Sequence, residues 1–85
     1  LSTGVKVFPN PNHGEFIVEF DEPTASLIHL NVTNGLGQVI YKSLLEPNTR
    51  KISVNLEAVS DGVYQLELFD SENNQKSVFN LLVRR

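Results

Sequence analysis

Apolar and polar residues alternate along almost the whole chain, and this pattern restricts the possible folds most. Between Tyr64 and Leu68, for example, the apolar residues Tyr64, Leu66 and Leu68 are separated by Gln65 and Glu67. A period of two residues is typical of a β-strand with one buried face. Seven short segments carry the pattern, around Val5/Val7, Phe16/Val18/Phe20, Ile28/Leu30/Val32, Val39/Tyr41, Ile52/Val54/Leu56, Tyr64/Leu66/Leu68 and Phe79/Leu81/Val83.

Turn-forming residues separate these segments. Two prolines interrupt strand pairing between Pro9 and Gly14, because proline fixes φ and lacks a backbone donor. The pair Asn34-Gly35 indicates a hairpin, since both residue types accept positive φ. Further turns are expected at Asp21–Thr24, Glu46–Thr49, Ser60–Gly62 and Asp70–Asn74. The sequence therefore predicts an all-β fold, an immunoglobulin-like antiparallel β-sandwich of about seven short strands in two sheets.

The chain length predicts a single domain over residues 1–85, in which residues 1–4 are the end of an upstream linker. No linker or repeat divides it, and no signal peptide is expected if it is a fragment of a longer precursor. The sequence has no cysteine, so strand pairing and packing must hold the fold without disulfides.

Composition argues against several classes of function. A net charge of −3 is unlike the basic footprint of a nucleic-acid binder, and the short apolar runs predict no membrane insertion. Of the two histidines, His13 lies in the proline-rich turn and His29 has the polar parity of its strand, so both are expected at the surface. No nucleophile, base and orienting group form a recognisable set, and no phosphate-binding glycine loop is present. We therefore expect no enzyme activity and no cofactor.

Two weaker patterns leave alternatives open. Asp70, Glu72 and Asn73 supply oxygens suited to calcium, but no glycine is placed as in a calcium loop, so a polar hairpin tip is the better account. Phe69 and Tyr41 are candidate exposed aromatics, which would suit a fibronectin-like or immunoglobulin-like accessory module that binds carbohydrate or a cell-surface protein. An exposed sheet edge would also permit self-association.

Three blocks resemble the type A C-terminal sorting domain of the type IX (Por) secretion system of the Bacteroidetes. The first runs from Val7 to Phe16 and contains Pro9-Asn10-Pro11 followed by Gly14. The second, residues 34–41, has Gly37 before a Val-rich strand, and the third, residues 54–66, has Gly62 and Tyr64. The ending Leu82-Val83-Arg84-Arg85 is similar to the family's apolar pair and basic terminus, although Asn80 and Leu81 stand where the family usually has a lysine.

The resemblance implies a secretion signal at the C-terminus of a cargo protein. Such a domain passes through the periplasm, is recognised by the translocon and its shuttle proteins, and is removed by a sortase-like peptidase once the cargo reaches the cell surface or the medium. The implied cleavage site lies at or before residues 1–4. The implied recognition residues are Pro9, Asn10, Pro11, Gly14, Gly37, Gly62, Tyr64, Leu82, Val83, Arg84 and Arg85.

Elementary chemistry is compatible with this role at two places. Two prolines should make the Pro9–Gly14 turn rigid, and Gly14 should let the chain turn back into a strand. Arg84 and Arg85 place two cations at the chain end, where a receptor with acidic groups can engage them. A plain turn and a solvated tail are the alternatives for these two segments.

Overall fold

The computed structural model describes residues 4–85, which form seven strands. These residues contain no helix, and therefore none able to cross a membrane. All seven predicted strands are confirmed. The strands are β1 (Val5–Phe8), β2 (Glu15–Phe20), β3 (Ile28–Thr33), β4 (Val39–Leu45), β5 (Lys51–Asn55), β6 (Gly62–Asp70) and β7 (Gln75–Val83).

Two antiparallel sheets make up the sandwich. One has three strands in the order β1-β2-β5, and the other has four in the order β4-β3-β6-β7. In immunoglobulin constant domains the fourth strand belongs to the sheet of the first, second and fifth strands. Here β4 instead pairs with β3 in the four-stranded sheet. The predicted two-sheet sandwich is confirmed, with this difference in where the fourth strand lies.

The alternating residues of both sheets meet in one core between the layers. β6 lies in the middle of the four-stranded sheet, and its Leu66 and Leu68 are fully buried. Side chains from both inner faces interdigitate in such a core, which is about 10 Å thick. The buried apolar residues are Phe16, Val18, Phe20, Ile28, Leu30, Val32, Leu45, Val54, Leu56, Tyr64, Leu66, Leu68, Leu81 and Val83.

The β3–β4 hairpin forms where Asn34-Gly35 predicts it, but the physical reason is different. The residue of this loop with positive φ is Gly37, at 82°, rather than Asn34 or Gly35. Asn34 accepts the Gly37 N–H through its backbone oxygen, and its side-chain oxygen accepts the N–H groups of Leu36 and Gln38. The loop is therefore a type I turn followed by a left-handed residue, in which Asn34 acts as an acceptor.

The two candidate exposed aromatics are both partly buried. Tyr41 packs against the core, which removes it from any exposed aromatic surface. Phe69 lies on the outer face of the four-stranded sheet opposite His29, and the ring centroids are 6.2 Å apart. The pairing of β6 with β7 is regular at Phe69, so no bulge displaces it.

Strand direction brings several loops to one end of the sandwich. The β1–β2 loop, the β3–β4 hairpin and the β5–β6 connection all lie there, because successive strands are antiparallel and Gly62 pairs with Val83. The chain after β7 leaves at the same end. All the recognition residues expected from the sequence are therefore at this end of the molecule.

Truncating Leu66 to alanine should destabilise the domain by about 2–5 kcal/mol, because the cavity left in the core cannot fully collapse. The matched control is Leu36→Ala, since Leu36 is 86% exposed and its loss should change stability by about 0.5 kcal/mol or less. Urea unfolding followed by circular dichroism measures both. Equal unfolding midpoints for the two variants would contradict the position of the core.

Candidate functional site

The loop Pro9–Gly14 leaves the three-stranded sheet and lies against the edge of β7 in the other sheet. The side-chain amide of Asn10 donates from Nδ2 to the Asn80 carbonyl at 3.0 Å. Its Oδ1 accepts the backbone N–H of Leu82 at 2.9 Å. One side-chain amide thus takes the place of a peptide group on a neighbouring strand. Pro9 and Pro11 flank Asn10 and restrict φ on both sides of it.

Asn12 continues the pairing with its own backbone. Its N–H donates to the Leu82 carbonyl at 2.9 Å, and its carbonyl accepts the Arg84 N–H at 2.8 Å, which forms a parallel bridge opposite Val83. The Asn12 side chain is buried, and its Oδ1 accepts the Gly14 N–H at 2.8 Å. The loop therefore serves as a short edge strand for the last residues of β7.

Gly14 is required at the point where the loop turns into β2. Its φ is 104°, in a region that favours glycine, and its carbonyl accepts the Leu56 N–H at 2.7 Å. A Cβ at this position would lie 3.3 Å from the Arg85 Nη2 atom. The absence of a side chain therefore allows the Arg85 guanidinium to lie over the loop.

The β5–β6 connection contributes the third part of the site. The Tyr64 hydroxyl donates to the Ser60 carbonyl at 2.6 Å, an arrangement like the tyrosine corner of immunoglobulin-like sandwiches. This bond fixes the segment that precedes Gly62. Asp61 Oδ1 then accepts the Arg85 N–H at 2.9 Å, and the Val59 carbonyl accepts Arg85 Nε at 2.9 Å.

His13 closes the site from the loop side. Its Nδ1 lies 2.6 Å from the Arg84 carbonyl, and because a carbonyl oxygen only accepts, Nδ1 carries the proton. His13 is exposed, as the sequence predicts, but it is engaged with the chain end rather than simply solvated. We call the assembly of residues 9–14, 59–62 and 80–85 the loop–terminus junction.

The junction contains most of the recognition residues expected from the sequence. Those that lie within it are Pro9, Asn10, Pro11, Gly14, Gly62, Leu82, Val83, Arg84 and Arg85. Tyr64 is only 8% exposed and lies in the core beside the junction. Its ring therefore supports the junction and is not available to contact a partner. Gly37 lies in the β3–β4 hairpin, where its N–H bonds within that turn.

Asn12, His13 and Asp61 take part in the junction, although the sequence analysis did not select them as recognition residues. The side chain of each residue bonds a backbone group. For Asn12 this group lies in the same turn, and for His13 and Asp61 it lies in the terminal segment. The Pro/Gly context of Asn12 and His13 was the available signal. For Asp61, the Ser-Asp-Gly turn was the available signal, but it does not reveal which backbone group the carboxylate accepts.

Other chemistry is not concentrated at the junction. Within residues 4–85, no group of three or more His, Cys, Asp or Glu side chains could hold a metal ion. At the β6–β7 tip, Asp70 Oδ1 accepts the N–H groups of Glu72 and Asn73, and Oδ2 accepts the Asn73 side-chain amide at 2.8 Å. Both carboxylate oxygens thus serve the turn, which supports the polar-tip interpretation of these residues.

The hydrogen bond from the Asn73 side chain holds the pKa of the Asp70 carboxyl below its ordinary value. The hydrogen bond from the Asn73 backbone N–H lowers this pKa further, and burial opposes both bonds. The charged carboxylate is therefore the form that the folded tip stabilises.

The fold and the junction define a small two-sheet sandwich in which a loop and the terminal segment are held in one fixed arrangement. The family model for the secretion system C-terminal sorting domain matches residues 6–83. The chain belongs to this family, the sorting domains of type IX secretion. A domain of this kind marks a protein for export to the cell surface or the extracellular space, and the family is not a family of enzymes.

A solved structure shows the same fold in a component of the same secretion system. PorZ of Porphyromonas gingivalis, described as an essential bacterial surface component of the type IX secretion system, superposes with a TM-score of 0.77 at 21% identity. The match covers 96% of this chain and 12% of the PorZ chain. At this identity the likeness concerns the fold. No curated protein sequence matched the chain.

Replacing Gly14 by alanine should destabilise the domain by about 1–3 kcal/mol, because alanine is strained at this φ and its methyl group crowds Arg85. Gly35→Ala is the matched control, since nothing lies within 4 Å of a Cβ at Gly35. Urea unfolding gives the stability, and hydrogen exchange at the Leu82 amide reports whether the loop has left β7. If both variants unfold at the same midpoint, Gly14 has no such role.

The Asp70 carboxylate should make the domain sensitive to acid. Because its folded pKa is lowered, its stabilisation is present above the ordinary value and is lost as the pH falls through the folded pKa. Asp70→Asn should therefore flatten the loss of unfolding free energy as the pH falls below about 4, relative to the wild type. Equally steep curves in this range would rule out the effect, and the curves should run parallel near neutral pH.

Proposed function

We propose that this domain is an export signal for a cargo domain that precedes it. The type IX machinery recognises the signal in its folded state. The observation that carries the proposal is the convergence of the resembling blocks. The Pro9–Gly14 loop, the turn before Gly62 and the terminal Leu82–Arg85 segment are separate in sequence and hydrogen-bonded to one another in the fold. Shared motifs that meet at one place indicate a common recognition site.

The junction is suited to a partner that recognises the folded domain. Seven hydrogen bonds join its segments, from Asn10, Asn12, His13 and Arg85. Each contributes about 0.5–1.5 kcal/mol, so together they can hold the loop and the chain end in one arrangement. A partner that meets a preorganised surface loses little conformational entropy on binding.

The proposed course of export follows from the family. The precursor passes through the periplasm, where shuttle and translocon proteins engage the domain. A sortase-like peptidase then cuts in the linker before it, at or ahead of residues 1–4, of which residues 1–3 lie outside the described structure. The domain is itself the substrate of that peptidase and performs no catalysis.

A second candidate function rests on the outer face of the four-stranded sheet. A shallow cavity of about 310 Å³ lies there, next to the contact between His29 and Phe69. In this cavity the His29 ring lies beside amide, ammonium and hydroxyl groups, and a few polar groups on a concave surface are usual in small-ligand sites. The residues that line the cavity are His29, Asn31, Lys42, Ser43 and Leu44.

The test fuses residues 1–85 to a neutral reporter that carries a Sec signal, in a bacterium with type IX machinery. We expect the reporter on the cell surface or in the medium, and N-terminal and mass analysis should show that the domain has been removed. Deleting Leu82–Arg85 should abolish export, because the deletion removes the partners of Asn10, Asn12 and His13.

Matched fusions make the result specific. Leu36→Ala keeps the junction and should export like the wild type. Periplasmic retention of the intact fusion would overturn the proposal. Binding of the purified domain to a glycan array, lost in Phe69→Ala, would favour the carbohydrate-binding candidate instead.

A further inference from the structure

The two terminal arginines occupy different faces of the domain. Along β7 the buried residues Leu81 and Val83 alternate with the outward Asn80 and Leu82. Pairing continues one residue past the strand, because the Arg84 N–H donates to the Asn12 carbonyl at 2.8 Å. The period of two therefore places Arg84 on the outward face with Leu82, and Arg85 on the opposite parity.

Arg85 is used by the domain itself. Its N–H and its Nε donate to Asp61 and to the Val59 carbonyl, both at 2.9 Å, and its guanidinium lies over Gly14. One backbone bond and one side-chain bond therefore tie Arg85 to the β5–β6 connection, while its guanidinium lies over the loop. Its role is to position the junction.

Arg84 is used differently, through its backbone alone. Its N–H and its carbonyl bond Asn12 and His13, whereas its exposed guanidinium forms no hydrogen bond or ion pair with any of residues 4–85. The main chain is thus fixed on both sides while the charge is left available. Because this backbone is already fixed, Arg84 loses little conformational entropy when its side chain binds a partner's carboxylate.

An apolar pair lies beside this cation. Val63 is 59% exposed and is the cross-strand partner of Leu82 on the outer face of the sheet. Leu82 is half-buried, and its own N–H and carbonyl are bonded to Asn10 and Asn12. The surface therefore presents two apolar side chains and one free charge on a backbone whose position is set by the junction.

We propose that Val63, Leu82 and Arg84 form the surface that a protein of the export machinery contacts, while Arg85 is a positioning residue. The partner would present an apolar side chain opposite Val63 and Leu82 and a carboxylate opposite Arg84. This inference rests on the proposed function and names the residues that carry it.

The charges on the chain favour a protein over an anionic membrane as the partner. Binding to a lipid surface generally needs several clustered cations. Here the neighbours of Arg84 on the outward face are the neutral Asn80 and Leu82, and the whole chain has a net charge of −3. One cation next to an apolar pair fits a single carboxylate in a protein groove.

The experiment compares Arg84→Glu, Arg84→Lys and Arg85→Ala in the reporter fusion. Arg84→Glu should reduce export about tenfold or more without changing the unfolding midpoint, because it turns an attraction into a repulsion. Arg84→Lys should retain part of the export, since it keeps the charge but loses the planar fork. Val63→Ser should reduce export with the fold intact.

Arg85→Ala should instead lower the unfolding midpoint and speed hydrogen exchange at the Arg84 and Leu82 amides. This pattern separates positioning from contact. Should the wild-type fusion itself stay in the periplasm, the proposed function fails. Should it be exported and Arg84→Glu be exported equally well, this inference alone fails.

Binding to vesicles that contain an anionic phospholipid tests whether Arg84 contacts a lipid headgroup instead of a protein carboxylate. The 85-residue chain should not cosediment with them. Cosedimentation that disappears in Arg84→Glu would assign Arg84 to a lipid surface and overturn the choice of a protein partner.

Discussion

The pairing of the Pro9–Gly14 loop with the edge of β7 is the interaction on which the recognition end of this domain depends. It satisfies five backbone groups of the terminal segment, the Asn80, Leu82 and Arg84 carbonyls and the Leu82 and Arg84 N–H groups. Without the loop these groups would form an open edge, which is a template for unwanted pairing with other chains. The same bonds connect the loop of one sheet to the last strand of the other.

This pairing also makes the junction conditional on folding. The bonds of Asn10 and His13 join residues 70 to 72 positions apart in the chain. Closing so long a loop for a few exposed hydrogen bonds is unfavourable in an unfolded chain, so the core must supply the free energy. The junction, which is built from both ends of the sequence, therefore exists in the folded domain and is lost from an unfolded one.

The period-two pattern predicts the strands and their buried faces because a half-buried strand needs that pattern wherever it lies. It does not encode which sheet receives β4, since either edge would bury Leu45 and Tyr41 equally well. The turns and the basic ending indicated most of the junction residues. They did not indicate what each residue does there. Tyr64 supports the junction from the core, and Asn10 replaces a peptide group through its side chain. Both depend on neighbours that only the tertiary fold supplies.

The parity of the last strand also limits where this fold can carry a basic side chain near its end. A lysine at position 80 would project outward on the face that carries Leu82 and Arg84, and its backbone carbonyl would still accept from Asn10. A lysine at position 81 would replace Leu81, which is fully buried, and would place a charge in the core at a large desolvation cost. The outward positions 80, 82 and 84 are thus the places where this fold can carry a cation toward a partner. Arg84 supplies that cation here, on the face where Asn80 is neutral.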